Sequence, residues 1–181
     1  MSHDRLDELA AGQVDGDDVR RDTLIAFEYA HNEEEWVFPL SEALAGLTAD
    51  EAAWIPSSTD PDSRSIWQIV LHMTVWTENI VQRMGNRERG ERPGRPSEGA
   101  WPALPTILDE QAWEESQRRL WKSLAAMRAH IAETPPAAML DHGNVGYSQF
   151  SDLLCRFIHN AYHIGQITKM RELMTTQKET G

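Results

Sequence analysis

Long stretches of this chain are nearly free of Gly and Pro and place apolar residues at helical spacing, while runs of alternating β-branched residues are absent. Four such stretches stand out, at about 22–45, 65–85, 108–133 and 149–175. Helices of 20–27 residues are roughly 30–40 Å long, a length that suits packing side by side. The pattern therefore predicts an all-α fold, a four-helix bundle. Between the first two helices, Thr48, Ala49, Asp50 and Glu51 have capping-box spacing and predict a short extra helix ending before Pro56. Ser65 is placed to cap the second helix, and the segment 85–107, rich in Gly, Pro and Arg, is the longest break. The third helix is expected to stop near Pro135 and Pro136, with Gly143 and Gly146 breaking the chain again before the fourth. Residues 1–20 read as a flexible leader, 21–176 as the bundle and 177–181 as a tail.

Charge narrows the partners. With 29 acidic against 17 basic residues the formal charge is -12, which repels phosphate backbones and offers no basic stripe for nucleic acid. No apolar run approaches the roughly 20 residues that span a bilayer, and the polar start lacks an export signal, so a cytoplasmic protein without membrane contact is expected. Cys155 is the sole cysteine, so neither an intramolecular disulfide nor a thiolate cluster can form.

Three histidines carry the chemistry. In FIHNAYHIGQITKMREL, His159 and His163 are four residues apart and share one face with Asp152, Arg156, Gln166 and Met170. Leu153, Leu154, Phe157, Ala161 and Ile164 form the opposite stripe. The second helix repeats this division: His72 sits with Ser65, Gln68, Trp76 and Asn79, across from Ile66, Val70, Met73, Thr77, Val81 and Met84. Three neutral imidazoles in one cleft suit a divalent transition metal such as zinc, nickel, iron or manganese, with a position open to water. Periodicity alone leaves a metal site, two solvated histidines on a polar face, or one buried histidine satisfied by a backbone carbonyl.

The surrounding motifs resemble the DinB-like family of small helical proteins. They are PLSEALAGLTADEAAWIP, SIWQIVLHMTVW, WPALP and HNAYHIGQI, and the resemblance runs from about 22 to 175. It implies a bundle with a long crossover connection and a metal triad at His72, His159 and His163. It also implies a homodimer, and a metal-dependent enzyme of the thiol-dependent transferase, isomerase or hydrolase kind acting on a small molecule. Two other roles stay open: a non-catalytic metal or small-ligand binder linked to stress, and a dimeric interaction module with an unused cleft. No general base is identifiable.

Further residues carry narrower expectations. Gln166 either orients a ligand imidazole or is simply exposed. Trp76 and Trp101 are candidates to line a pocket, while Trp36, Trp54, Trp67, Trp113 and Trp121 are expected in the core. Tyr162 and Asn160 point away from the ligand face, Gly165 suggests close helix packing, and Cys155 is expected buried. His3, His31, His130 and His142 are expected on the surface, Glu33, Glu34 and Glu35 on a solvated face, and Asp152 at a helix start.

Overall fold

Local capping chemistry sets several of the helix starts. The computed structural model describes residues 16–34, 38–57, 60, 62–86, 96–142 and 148–180, the side chains of 178–180 excepted. These form α1 (Gly16–His31), α2 (Leu40–Leu44), α3 (Ala49–Ala53), α4 (Ile66–Asn86), α5 (Glu110–Glu133), α6 (Pro136–Leu140) and α7 (Gln149–Thr180). The protein is all-helical, with no strand among the described residues. The Thr48 hydroxyl accepts from the Glu51 amide while the Glu51 carboxylate accepts from the Thr48 amide, so the expected capping box starts α3. Ser65 and Gln68 make the same reciprocal pair at the start of α4, at 3.1 and 3.0 Å. Asp109 accepts from the Ala112 amide to open α5.

The first predicted helix is divided. The helix expected over 22–45 begins earlier, at Gly16, and ends at His31; α2 then forms separately behind Pro39. Pro39 holds extended backbone (φ -71°, ψ 154°) and lacks an amide proton, so one helix cannot run through it. At the early start, Asp17 and Asp18 meet the positive end of the helix dipole. Gly16 packs so tightly that a Cβ there would sit 2.6 Å from the Pro136 carbonyl oxygen. Beyond Pro135 the chain starts a further short helix, α6, with Pro136 at its first turn, where a missing amide proton costs nothing. Trp36, Glu35, His3, Gly143, Gly146 and residues 87–95 lie outside the described residues.

Side-chain contacts fix the helix directions. Arg20 reaches the Thr134 carbonyl and Arg128 binds Glu28, so α1 and α5 are antiparallel. His72 meets His159 and Arg83 meets Asp152, so α4 and α7 are antiparallel too. Trp67 bonds Ser116 while Glu78 binds Arg119, so the consecutive helices α4 and α5 run in the same direction. The connection between them must therefore travel back along the bundle, roughly 30 Å for the 21 residues of α4. Its described part does so: Pro96, Ser97 and Glu98 line a cleft against Val75, Glu78 and Gln82, and Glu98 shares the Arg119 guanidinium with Glu78.

One core holds the helices together, with Trp67, Trp113, Leu120, Leu124, Met127, Leu153 and Ile167 at its centre. Both buried indoles satisfy their N–H groups, Trp67 on Ser116 at 2.8 Å and Trp113 on the Leu47 carbonyl at 2.9 Å. Trp54 and Trp121 are partly buried against the same core. Arg171 of α7 donates to the carbonyls of Ala43 and Ala45, completing the C-terminal end of α2. No helix is long and apolar enough to cross a membrane among the described residues.

His31, expected on the surface, is fully buried. Its Nδ1 donates to the Phe27 carbonyl at 2.7 Å, Nε2 accepts from the Asn160 amide at 3.0 Å, and the ring packs against Phe27 and Phe157. Burial pushes its pKa from 6.5 to about 4, so the ring stays neutral in the fold. Because the unfolded chain takes up this proton first, stability is full above pH 6.5 and falls as pH drops toward 4. The loss from this group is on the order of 3 kcal/mol. A His31→Gln variant is expected to unfold at lower denaturant at pH 7 but to lose less stability than the wild type between pH 7 and 4. Urea titrations across that range read both effects.

Candidate metal centre

α4 and α7 cross with His72 on one and His159 and His163 on the other, and the antiparallel arrangement brings all three rings together. The His72 and His159 Nε2 atoms are 3.0 Å apart, and those of His163 and His159 are 3.1 Å apart. His72 and His163 are buried, at 5% and 3% exposure, and His159 is partly buried. Among the described residues no carboxylate or thiolate joins them in a cluster spaced for an ion.

The other ring nitrogens are spoken for. His72 Nδ1 donates to the Ala100 carbonyl at 2.5 Å, and His163 Nδ1 donates to Gln166 Oε1 at 2.7 Å. Each bond places the proton on Nδ1 and leaves the Nε2 lone pair facing inward, the tautomer a metal requires. His159 differs. Its Nδ1 lies 2.8 Å from an Arg156 guanidinium nitrogen, which can only donate. In a neutral ring that assigns the His159 proton to Nε2, between the two inward lone pairs. One proton thus occupies the centre of the cluster, at the point three imidazoles would offer to a cation.

The donor set fits a divalent ion. Nitrogens bound at about 2.0–2.1 Å stand roughly 2.9 Å apart at right angles and roughly 3.4 Å apart at the tetrahedral angle. The separations of 3.0 and 3.1 Å fall between these limits. Burial pushes His72 to about 4 and His159 to about 3, with the Arg156 charge adding to the second, and burial also lowers His163. The rings therefore resist protonation more than an ordinary histidine with its pKa near 6.5, and an ion at His159 Nε2 would require that ring's proton to move to Nδ1 and Arg156 to turn away from it.

The crossover segment completes the walls. Trp101 stacks on His72, with ring centroids 3.9 Å apart and planes inclined by 20°, and the Arg64 guanidinium lies 5.4 Å from the Trp101 ring. Beside His163 opens a cavity of about 510 Å³, lined by Arg64, Trp101, Tyr162, Gln166 and Lys169 among others. That volume admits a small organic molecule. On the far side Trp76 approaches His72, and Arg156 lies over Trp76 at 5.6 Å. Burial pushes Arg156 down to about 10, with Arg83 adding to the effect, so it remains a cation at neutral pH.

Several other expectations change here. Gln166 is the residue that orients His163, and its amide donates to the Tyr162 hydroxyl at 3.1 Å. Tyr162, expected to point away, lines the cavity. Asn160 is fully buried and holds His31. Cys155 is exposed, on the outer face of α7 with Leu154 and Ile158. Gly165 is also on that face, and a Cβ there would meet nothing within 4 Å, so close helix packing does not explain it. His130 is partly buried against Gln149, whereas His142 is exposed. Glu33 and Glu34 are exposed as expected, and Asp152 lies in the first turn of α7, paired with Arg83.

A family model described as the DinB superfamily matches residues 39–167, a span that contains all three histidines. No curated protein and no solved structure matches the chain. Loss of an orienting hydrogen bond around a metal-binding histidine typically costs 10–100-fold in affinity. Gln166→Leu is therefore expected to weaken zinc binding by about 10-fold or more, measured by competition with a chromophoric chelator, while its far-ultraviolet circular dichroism stays that of the wild type.

Proposed function

The chain belongs to the DinB superfamily, and from that premise we propose that it is a metal-dependent enzyme acting on a small molecule, of the thiol-dependent transferase, isomerase or hydrolase kind. The observation that carries the reading is the convergence of three Nε2 atoms, two with their tautomers fixed by Ala100 and Gln166. His72, His159 and His163 would hold one divalent ion. Such an ion, when bound, lowers the pKa of a coordinated thiol or water and so supplies a nucleophile near neutral pH.

The chain's own residues do the remaining work. Trp101 and the buried faces of α4 and α7 shield one side of the cluster from water, while the cavity beside His163 gives a ligand its route in. Trp101 offers an aromatic wall for an apolar body, and Gln166, Tyr162 and Lys169 offer polar groups around it. His163 is fixed in the wall of this cavity, so whatever occupies the cavity lies next to the cluster.

A non-catalytic metal-binding role is favoured by a different observation. Among the described residues the acids close to the site are engaged elsewhere, Asp152 with Arg83 and Glu78 with Arg119, and none of them is evident as a general base. The two readings separate in one experiment. Zinc-, nickel-, iron- and manganese-loaded protein is assayed with low-molecular-weight thiols and an electrophilic acceptor, beside His72→Ala and His163→Ala. The enzyme reading expects metal-dependent thiol consumption that either substitution reduces by at least about 100-fold. Full metal occupancy with no turnover of any thiol would leave the binding role. Metal content below about a tenth of an equivalent per chain after loading would contradict both.

A further inference from the structure

Among the described residues, three buried polar atoms lack a hydrogen-bond partner: Trp76 Nε1, Arg156 Nε and Asn160 Oδ1. The first two are donors, and they belong to side chains in contact, the Arg156 guanidinium lying 5.6 Å from the Trp76 ring centroid. Both side chains border the histidine cluster, Arg156 through its bond to His159 and Trp76 through its contact with His72. Asn160, the remaining case, is an acceptor already tied to His31 through its amide. Two adjacent buried donors without an acceptor are costly, because each has given up water without a replacement.

Charge sharpens the requirement. Arg156 is only 9% exposed, and among the described residues no carboxylate forms an ion pair with it. Asp152, one turn earlier on α7, is engaged by Arg83 at 3.3 Å. Burying a guanidinium beside neutral imidazoles is costly unless an anion compensates it. A divalent ion held by three neutral histidines would add positive charge at the same place. Among the described residues no carboxylate joins the histidine cluster, and Asp152, whose charge does act on Arg156, is shared with Arg83, so an anionic ligand would complete the compensation.

We propose that Arg156 and Trp76 form an oxyanion subsite beside the histidine cluster, which takes the carboxylate of a small ligand. The guanidinium Nε–H and the indole N–H supply two donors, and the cation supplies the attraction. The subsite deepens the metal-dependent reading, since it names a carboxylate-bearing molecule as the substrate class. Its donors belong to the chain itself, so it can be tested with or without metal.

The test uses acetate as probe. Full-length protein, zinc-loaded and metal-free, is titrated with sodium acetate at constant ionic strength and followed by calorimetry. Arg156→Gln, Arg156→Lys and Trp76→Phe are compared with the wild type, and zinc content is measured for each. Saturable acetate binding is expected, weakened at least tenfold by Arg156→Gln and severalfold by Trp76→Phe. Arg156→Lys restores part of the loss, and all variants still take up zinc. Acetate affinity equal to the wild type in Arg156→Gln would overturn the proposal. If that variant does not fold, equal affinity in both Arg156→Lys and Trp76→Phe would overturn it. Absence of saturable acetate binding to the wild type, in either form, would overturn it as well. A wild type that takes up no zinc yet binds acetate through Arg156 would remove the metal reading and leave the subsite standing.

Discussion

A buried imidazole must place two ring nitrogens, and the structure around the histidine cluster follows from where they go. His72 and His163 each spend the outer nitrogen on an oxygen, Ala100 O and Gln166 Oε1, and so turn the inner nitrogen toward a common point. The Ala100 bond is the more demanding, because its acceptor lies on the crossover segment and not on a neighbouring helix turn. It brings the segment down onto α4, and Trp101, the next residue, stacks on the ring just fixed. Losing that bond would free the His72 tautomer, the indole wall and the position of the returning chain together.

The crossover is itself a consequence of helix direction. α4 and α5 are consecutive yet parallel, so the linker has to cover the length of the bundle before α5 can begin. Along its path Arg119 clamps Glu98 and Glu78 into one network, at 2.6 Å to each carboxylate. Partly exposed ion pairs such as these contribute little to stability singly. Their effect is positional: they set the register at which Ala100 and Trp101 meet His72. The histidine cluster is thus assembled from two helices and a loop, each held by a different kind of interaction.

Reading the sequence recovered what is encoded locally. The capping residues Ser65 and Thr48 mark helix starts because their partners lie within three residues. His159 and His163 share a face by spacing alone, and the motifs around His72 pointed to the same cluster. The failures have a common physical cause in long-range contact. His31 is buried because Asn160 and Phe157, more than a hundred residues later, surround it. Arg156 counts as a polar residue on a wheel, yet it packs inward between Trp76 and His159. Cys155 and Gly165 lie on a face of α7 that no helix among the described residues covers, which periodicity cannot foresee. Pro39 is a local signal: with extended backbone and no amide proton it divides the first helix.

The central claim is that the inward Nε2 atoms of His72, His159 and His163 bind a divalent metal ion. Anomalous diffraction from crystals of zinc-loaded protein, collected on both sides of the zinc edge, tests it directly. The account predicts one strong peak per chain, about 2.0–2.1 Å from all three Nε2 atoms, with at least one further coordination position open to solvent or ligand. Zinc present in the crystals but bound elsewhere, with the three histidines still hydrogen-bonded to one another, would contradict it.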